Sequence, residues 1–402
     1  MKKISIILLF SFFMVFIAPY HGEIAADLDN ERQDTDINTI MDEDPYEDGL
    51  LDYPTAYYEG KILDVQEKTI EDPERINQGF SDTMQVVTLK ILNGPFKGQG
   101  HTIEHFNLGN AAYDIWVSRG DHVQLFAELT QDKSDIVNIY ISDFVRWPQL
   151  RNLALIFILL ILVIGKWQGL KALIALGATA LAVVSFMLPL MLKGSSPILL
   201  AIGVCFFSTI ITILLVAGFS IKSLTTILGT LSGVLIAGFL SFIVGNAVKL
   251  TGLSAQEAQM LMFIPQAVQF DFRGLLFAGI IIGALGAVMD VSMSISSAMD
   301  EIRLKTPGLP IKELVKSGIT VGRDVMGTMS NTLILAYTGS AIPLLLLFMA
   351  YDSSLVNIFN MDLIATEVVR ALTGSIGLLS SIPITAFSYG LLYRRRHSNI
   401  ES

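Results

Sequence analysis

One cysteine in 402 residues, Cys205, excludes a disulfide framework and a cysteine-based zinc site; it falls within an apolar run and reads as a small buried hydrophobe. Histidine is scarce too. None of the five lies in a long apolar run, and His397 only follows the last one, so no Ser/His nucleophile pair can be assembled within a membrane. The phosphate-binding pattern G-x-x-x-x-G-K-[ST] is missing, which excludes an intrinsic ATPase. Nothing in the chain suggests nucleic acid, haem, flavin or a resident metal, and we expect no cofactor and no enzymatic activity. Charge is the largest deficit. Charged residues make up 16% against 52% hydrophobic, and mean hydropathy is +0.57, which excludes an ordinary soluble protein.

The apolar residues instead gather in runs long enough to cross a bilayer. The expected fold is a polytopic α-helical membrane protein of about seven transmembrane helices with a small exported N-terminal all-β, OB-like barrel. Lys2 and Lys3 precede an apolar run from Ile4 to Ala18, so residues 1–22 read as a signal peptide or a retained anchor. Residues 23–52 carry twelve acids against Arg32 alone, which accounts for the net charge of −10. They read as a disordered linker. From 53 to 146, short alternating runs predict strands at Ala56–Val65, Met84–Leu92, His101–Phe106, His122–Leu129 and Ile136–Ile141. Within them, His101-Thr-Ile-Glu104-His105 matches a zinc-protease pattern that requires a helix. Strand alternation sends Glu104 to the opposite face from the two histidines.

Residues 150–393 form the multipass domain, with spans near 152–165, 170–192, 197–217, 224–246, 274–297, 328–350 and 364–391. With the β domain outside, Lys166, Lys171, Lys222, Arg303, Lys305, Lys312, Lys316, Arg323 and Arg394 to Arg396 fall inside, together with the tail 394–402. Ser254-Ala-Gln-Glu257 predicts a capping box. Residues 311–323 read as an amphipathic surface helix, and the inner loop 300–325 as a place for a partner subunit.

Chemistry concentrates in three spans. Gly279, Gly283, Gly286, Asp290, Ser294, Ser297 and Glu301 recur at steps of three or four and share one stripe of a helix. Ile280, Ile281, Leu285 and Val288 fill the other side. That division suits lipid on the apolar side and neighbouring helices along the stripe. Asp324, Gly327, Asn331 and Thr338 share a face of the next span beside Arg323. Glu367, Arg370, Gly374 and Gly377 align in the last. Gly229 and Gly233 give another span a small-residue face. Asp290, Asn331, Glu367, Asp324, Arg323 and Arg370 are thus the candidate residues of a transport path. The glycines 279, 283, 286, 229 and 233 read as packing devices. The competing reading pairs Asp290 with Arg323 and Glu367 with Arg370 to hold helices together.

Two blocks carry a family resemblance: Gly286-Ala-Val-Met-Asp290-Val with its serine-rich continuation, and Gly322-Arg-Asp-Val-Met-Gly-Thr-Met-Ser-Asn331-Thr-Leu-Ile-Leu-Ala-Tyr-Thr-Gly339. They resemble the YibE/F-like family of bacterial multipass membrane proteins over residues 150–392, and the small β domain suits that family. The resemblance implies a bacterial cytoplasmic membrane and supplies no catalytic residues. The functional expectation is a permease for a small ion or solute that works through intramembrane carboxylates. The alternative is a non-transporting envelope factor whose β domain binds a ligand or protein.

Overall fold

The computed structural model describes residues 53–69, 83–107, 114–264, 270–351 and 354–398. The N-terminal segment and acidic linker (1–52) and the last four residues of the tail lie outside them. The chain divides into two compact units, one ending at Phe157 and one running from Ile158.

The first unit is a five-stranded antiparallel sheet: β1 (Thr55–Thr69), β2 (Thr83–Ile91), β3 (Gly100–Phe106), β4 (His122–Leu129) and β5 (Ile136–Phe144). Their order is β3-β2-β1-β4-β5. Central β1 pairs with β4 through residues 55–61 and with β2 through 60–69, while the edge strands β3 and β5 approach one another. A long first strand shared between two neighbours in a nearly closed sheet is the OB arrangement. Sharing requires a bend, and a bulge between Ile62 and Asp64 supplies it. The extra residue also reverses the side-chain phase, so Tyr58 and Ile62 point inward before it and Val65 after it. Val123, Leu125, Ala127 and Leu129 fill the core from β4. Gly60 is needed opposite them, because a Cβ there would stand 2.6 Å from Leu125 Cδ1.

The second unit is helical. Its elements are α1 (Trp147–Ala182, beginning in the first unit), a π-turn (Val183–Met187), α2 (Leu188–Leu192), α3 (Pro197–Ala217), α4 (Ile221–Ala247), the short α5 (Gln256–Met260), α6 (Phe272–Lys305), α7 (Ile311–Ser340), α8 (Ile342–Ala350), α9 (Leu355–Asn360) and α10 (Asp362–Ser398). Among the described residues, five helical stretches are long and apolar enough to cross a membrane. The bent pair α7 and α8, at 58°, makes six if it counts as one span. Pro343 accounts for that bend: its ring clashes with the carbonyl four residues back, at Gly339.

The first two segments read from the sequence fall within one stretch, Trp147–Leu192. Its backbone leaves the helix at Lys166 (φ 46°, ψ −125°), and Gly169 lies against the carbonyl of Ile161. Eight residues of unbroken helix would separate those two by about 12 Å, so the chain doubles back at Lys166. Against about seven expected segments, the described residues show five, or six with the bent pair, and one more if this folded stretch counts twice.

The core sits on α6, packed by α3, α4, α7 and α10. Two sequence expectations fail. Ser254 caps no helix; its hydroxyl donates to Thr366 Oγ1 (3.4 Å), and α5 starts after Ala255 without a side-chain cap. Residues 311–323 form no separate surface helix but the first half of α7. Leu314 is fully buried, with Val315 and Ile319 packed beside it. Much of the apolar face is therefore covered by the bundle; Ile311 and Val315 stay part-exposed in a groove with Phe387 and Leu391, and the side bearing Lys312 and Lys316 is open.

Candidate functional site

The stripe on α6 points the other way from the expectation. Ile280, Ile281, Leu285 and Val288 are buried against the bundle, whereas Gly279, Gly283, Gly286, Asp290 and Ser294 are exposed. A Cβ added at Gly279 or Gly286 would meet nothing within 4 Å, so neither packs against another helix among the described residues; Gly283 lies near the Tyr337 hydroxyl. The physical reason is that aliphatic side chains fill a protein interior as readily as they face lipid. A small polar stripe marks only a surface that avoids lipid.

α7 shows the same inversion. Gly318 and Gly322 face inward, against Met299 and Ile382 respectively, while Arg323, Asp324, Gly327, Thr328 and Asn331 are exposed on the opposite side. Gly283 beside Tyr337 and Gly322 beside Ile295 make α6 and α7 antiparallel neighbours. In that register Asp290 is level with residues 327–330. It lies eighteen residues after Phe272 and fifteen before Lys305, about 27 and 22 Å along a 1.5 Å rise, hence near the middle of its helix. Among the described residues, the side chains of Asp290, Arg323, Asp324 and Asn331 form no hydrogen bond or ion pair. The suggested Asp290–Arg323 pair is not formed.

Glu367 and Arg370 are different. Arg370 Nη1 donates to Glu367 Oε1 at 2.7 Å, with both side chains largely buried, and the guanidinium sits 5.9 Å from the Tyr337 ring centre. Gly374 of α10 lies beside Ala284 of α6, and both helices run the same way. Glu367 is therefore level with about Phe277, thirteen residues or roughly 20 Å from Asp290. The six candidate residues divide into an outward group of four and a structural pair.

Sequence reasoning overlooked a hydroxyl seam between α4, α6 and α10. Thr225 and Ser296 hydrogen-bond at 3.0 Å, Thr385 donates to the Ser381 carbonyl, and the buried Thr230 and Ser292 hydroxyls have no partner among the described residues. The legible signal was three hydroxyl pairs at i, i+4: Thr226/Thr230, Ser292/Ser296 and Ser381/Thr385. Gly229 packs into this seam against Thr385 and Ser292, and Gly233 against Val288 and Gly377. Also overlooked was a cluster joining α6 to α10: Tyr389 donates to Asp300 (2.7 Å), and Arg303 lies 4.1 Å from the Tyr393 ring centre. It puts the basic ends of both helices at one end of the bundle.

The His-x-x-Glu-His stretch is strand β3, as alternation predicts. Ile103 lies between the histidines on the half-buried face, and Glu104 is exposed. Among the described residues no group of three or more His, Cys, Asp or Glu side chains is close enough to hold a metal. His105 instead serves the structure, its Nε2 donating to the Ile115 carbonyl at 2.8 Å. Beside it Gln85 acts as a surrogate peptide, accepting from Val117 N–H (3.0 Å) and donating to its carbonyl (3.1 Å). These contacts fix segment 114–118 as a plug in the barrel.

Burial pulls the His105 pKa below 6.5, outweighing the opposing effects of the Ile115 hydrogen bond and Asp114. The unfolded chain then takes up a proton before the folded one. Stability of the β domain should accordingly fall as pH drops below about 6.5 and level off once the folded histidine titrates. Denaturant midpoints read from Trp116 fluorescence, with Trp147 and Trp167 replaced by phenylalanine, test this. His105→Gln should flatten the profile in that window, and an unchanged slope would contradict it.

A β domain of OB type followed by apolar helices of spanning length defines a polytopic membrane protein. Residues 153–395 match the YibE/F-like protein family, and residues 56–144 match the YibE/F family N-terminal domain. The chain belongs to the YibE/F-like family. No curated protein and no solved structure matches it.

Proposed function

We propose that this protein is a permease that moves a small ion or solute along the outward polar face of α6 and α7, with Asp290 as its exchanging carboxylate. The supporting observation is that this face carries, at mid-helix depth, a carboxylate with no partner among the described residues, set among glycine, serine, threonine and asparagine with Arg323 and Asp324 further along. An ionised Asp at mid-bilayer facing lipid costs about 2.5–3.5 kcal/mol on insertion scales, so the face requires water or protein. Glu367, tied to Arg370, is reassigned from the path to the scaffold. We further propose a bacterial cytoplasmic membrane with the β domain outside. The basic residues gathered at one end of α6, α7 and α10 favour that end as the inner one. Flux of protons and of alkali cations into proteoliposomes tests the proposal. Flux above that of empty vesicles, lost in Asp290→Asn, supports it; flux equal to that of empty vesicles for every cation tried counts against it.

A second reading, an envelope factor that binds a ligand through its β domain, is favoured by one feature. Tyr57, Phe126 and Tyr140 stand in cross-strand register on the outer face of β1, β4 and β5, with ring centres 5.4 and 6.4 Å apart. Tyr57 is 59% and Tyr140 49% exposed. Gln124, Glu128 and Asn138 flank them with planar hydrogen-bonding groups. Such a row suits the apolar face and hydroxyls of a saccharide. Replacing both tyrosines by alanine should weaken retention on cell-wall glycan by about tenfold, at 0.5–1.5 kcal/mol per stacked ring. Absence of retention by the unaltered protein would remove this reading.

A further inference from the structure

The α6–α7 face bears three charges, Asp290, Asp324 and Arg323, and none finds a partner among the described residues of its own chain. Asp290 lies at mid-helix and Arg323 is level with about residues 294–297, some 6–10 Å toward the basic end. Elsewhere the outer surface is Phe206, Phe207, Phe239 and Phe242, which suits lipid. We infer that a second copy of this chain covers the face, giving a homodimer with its two-fold axis parallel to the helices.

A two-fold of that direction leaves depth unchanged. Each copy's Asp290 then meets Asn331 of the other at nearly its own level, and Arg323 of the other reaches back along its stem to the carboxylate. Each copy's Asp290 is thereby paired with Arg323 of the other, which no lipid contact achieves. The exposed glycines serve the same contact. Gly279-x-x-x-Gly283 and then Gly286 present bare backbone where none of the described residues lies against Gly279 or Gly286, the arrangement that lets two membrane helices approach closely. Isologous contact across a two-fold is also the commonest form of self-association. The dimer is independent of transport: it stands or falls whether or not anything crosses the membrane.

Disulfide trapping in native membranes tests it on the full chain with Cys205→Ala. Gly286→Cys has room for its side chain, and copper-phenanthroline oxidation should convert most of the protein to a band of twice the monomer's mass. Phe239→Cys, on a surface 65% exposed on α4, should stay monomeric. Asp290→Arg should lose the Gly286→Cys cross-link, and adding Arg323→Asp should restore it. Three results would overturn the inference: a monomeric Gly286→Cys protein labelled by a water-soluble maleimide, the same protein labelled only by a lipid-soluble one, or cross-linking solely to a different polypeptide.

Discussion

Asp290→Asn is expected to lower flux in proteoliposomes on the order of 10²-fold, the scale on which loss of a positioned proton-transferring group is felt, while the protein stays folded. The side chain is exposed and has no partner among the described residues, so the amide removes no contact within the protomer and should change the protomer's own stability by no more than about 0.5 kcal/mol. Glu367→Gln should do the reverse. It breaks a 2.7 Å charge-assisted bond and leaves the Arg370 guanidinium half-buried without its counter-ion. That loss is worth about 1–3 kcal/mol and should show as a lower thermal midpoint with flux per folded molecule retained. Had the two carboxylates formed one relay, both variants would lose flux. Unchanged flux in Asp290→Asn would remove the role assigned to it.

Gly377→Val should be the most damaging single substitution in the bundle. Where α10 crosses α4, a Cβ on Gly377 would stand 2.6 Å from the Gly233 carbonyl and 2.7 Å from Ala237 Cβ. The reciprocal position is as tight, since a Cβ on Gly233 would be 2.8 Å from the Gly377 carbonyl. The obstacle is backbone, which has no rotamer to change, so the helices must separate and the Val288, Leu378 and Ile382 packing opens with them. A loss of about 3 kcal/mol is expected from overpacking alone. Size-exclusion profiles in detergent and the temperature of aggregation report it. By contrast Gly279→Ala, which enters open space, should leave the protomer unharmed or gain about 0.5–1 kcal/mol from helix propensity. Equal damage from both variants would mean the crossing is not as close as described.

The pattern of residues was more legible than its direction. Alternation located all five strands, because one face of each enters a core and the other meets solvent. Gln85 was not legible as a core residue: a polar side chain in a strand reads as outward-facing until the backbone of Val117 is placed beside it. On α6 the period gave the stripe and isolated Asp290, but hydropathy could not say which side met the bundle. Ile280 and Val288 satisfy lipid and interior alike. The apolar face of 311–323 was legible too, but its cover, supplied by α6 and α10, depends on tertiary contacts. The break at Lys166 was visible as a charge between two apolar runs. The reversal there is a backbone event that composition does not encode.

Both the transport surface and the dimer require the outward face of α6 and α7 to be sheltered from lipid. Nitroxide labels at Gly286→Cys and Asn331→Cys in reconstituted Cys205→Ala protein, compared with Phe239→Cys for collisions with oxygen, report that shelter. Oxygen accumulates in the bilayer core, so the label at 239 should relax strongly. Low oxygen accessibility is expected at 286 and 331, whether protein or water covers them. Oxygen accessibility at 286 and 331 equal to that at 239 would put Asp290 in the lipid and contradict both the transport surface and the dimer.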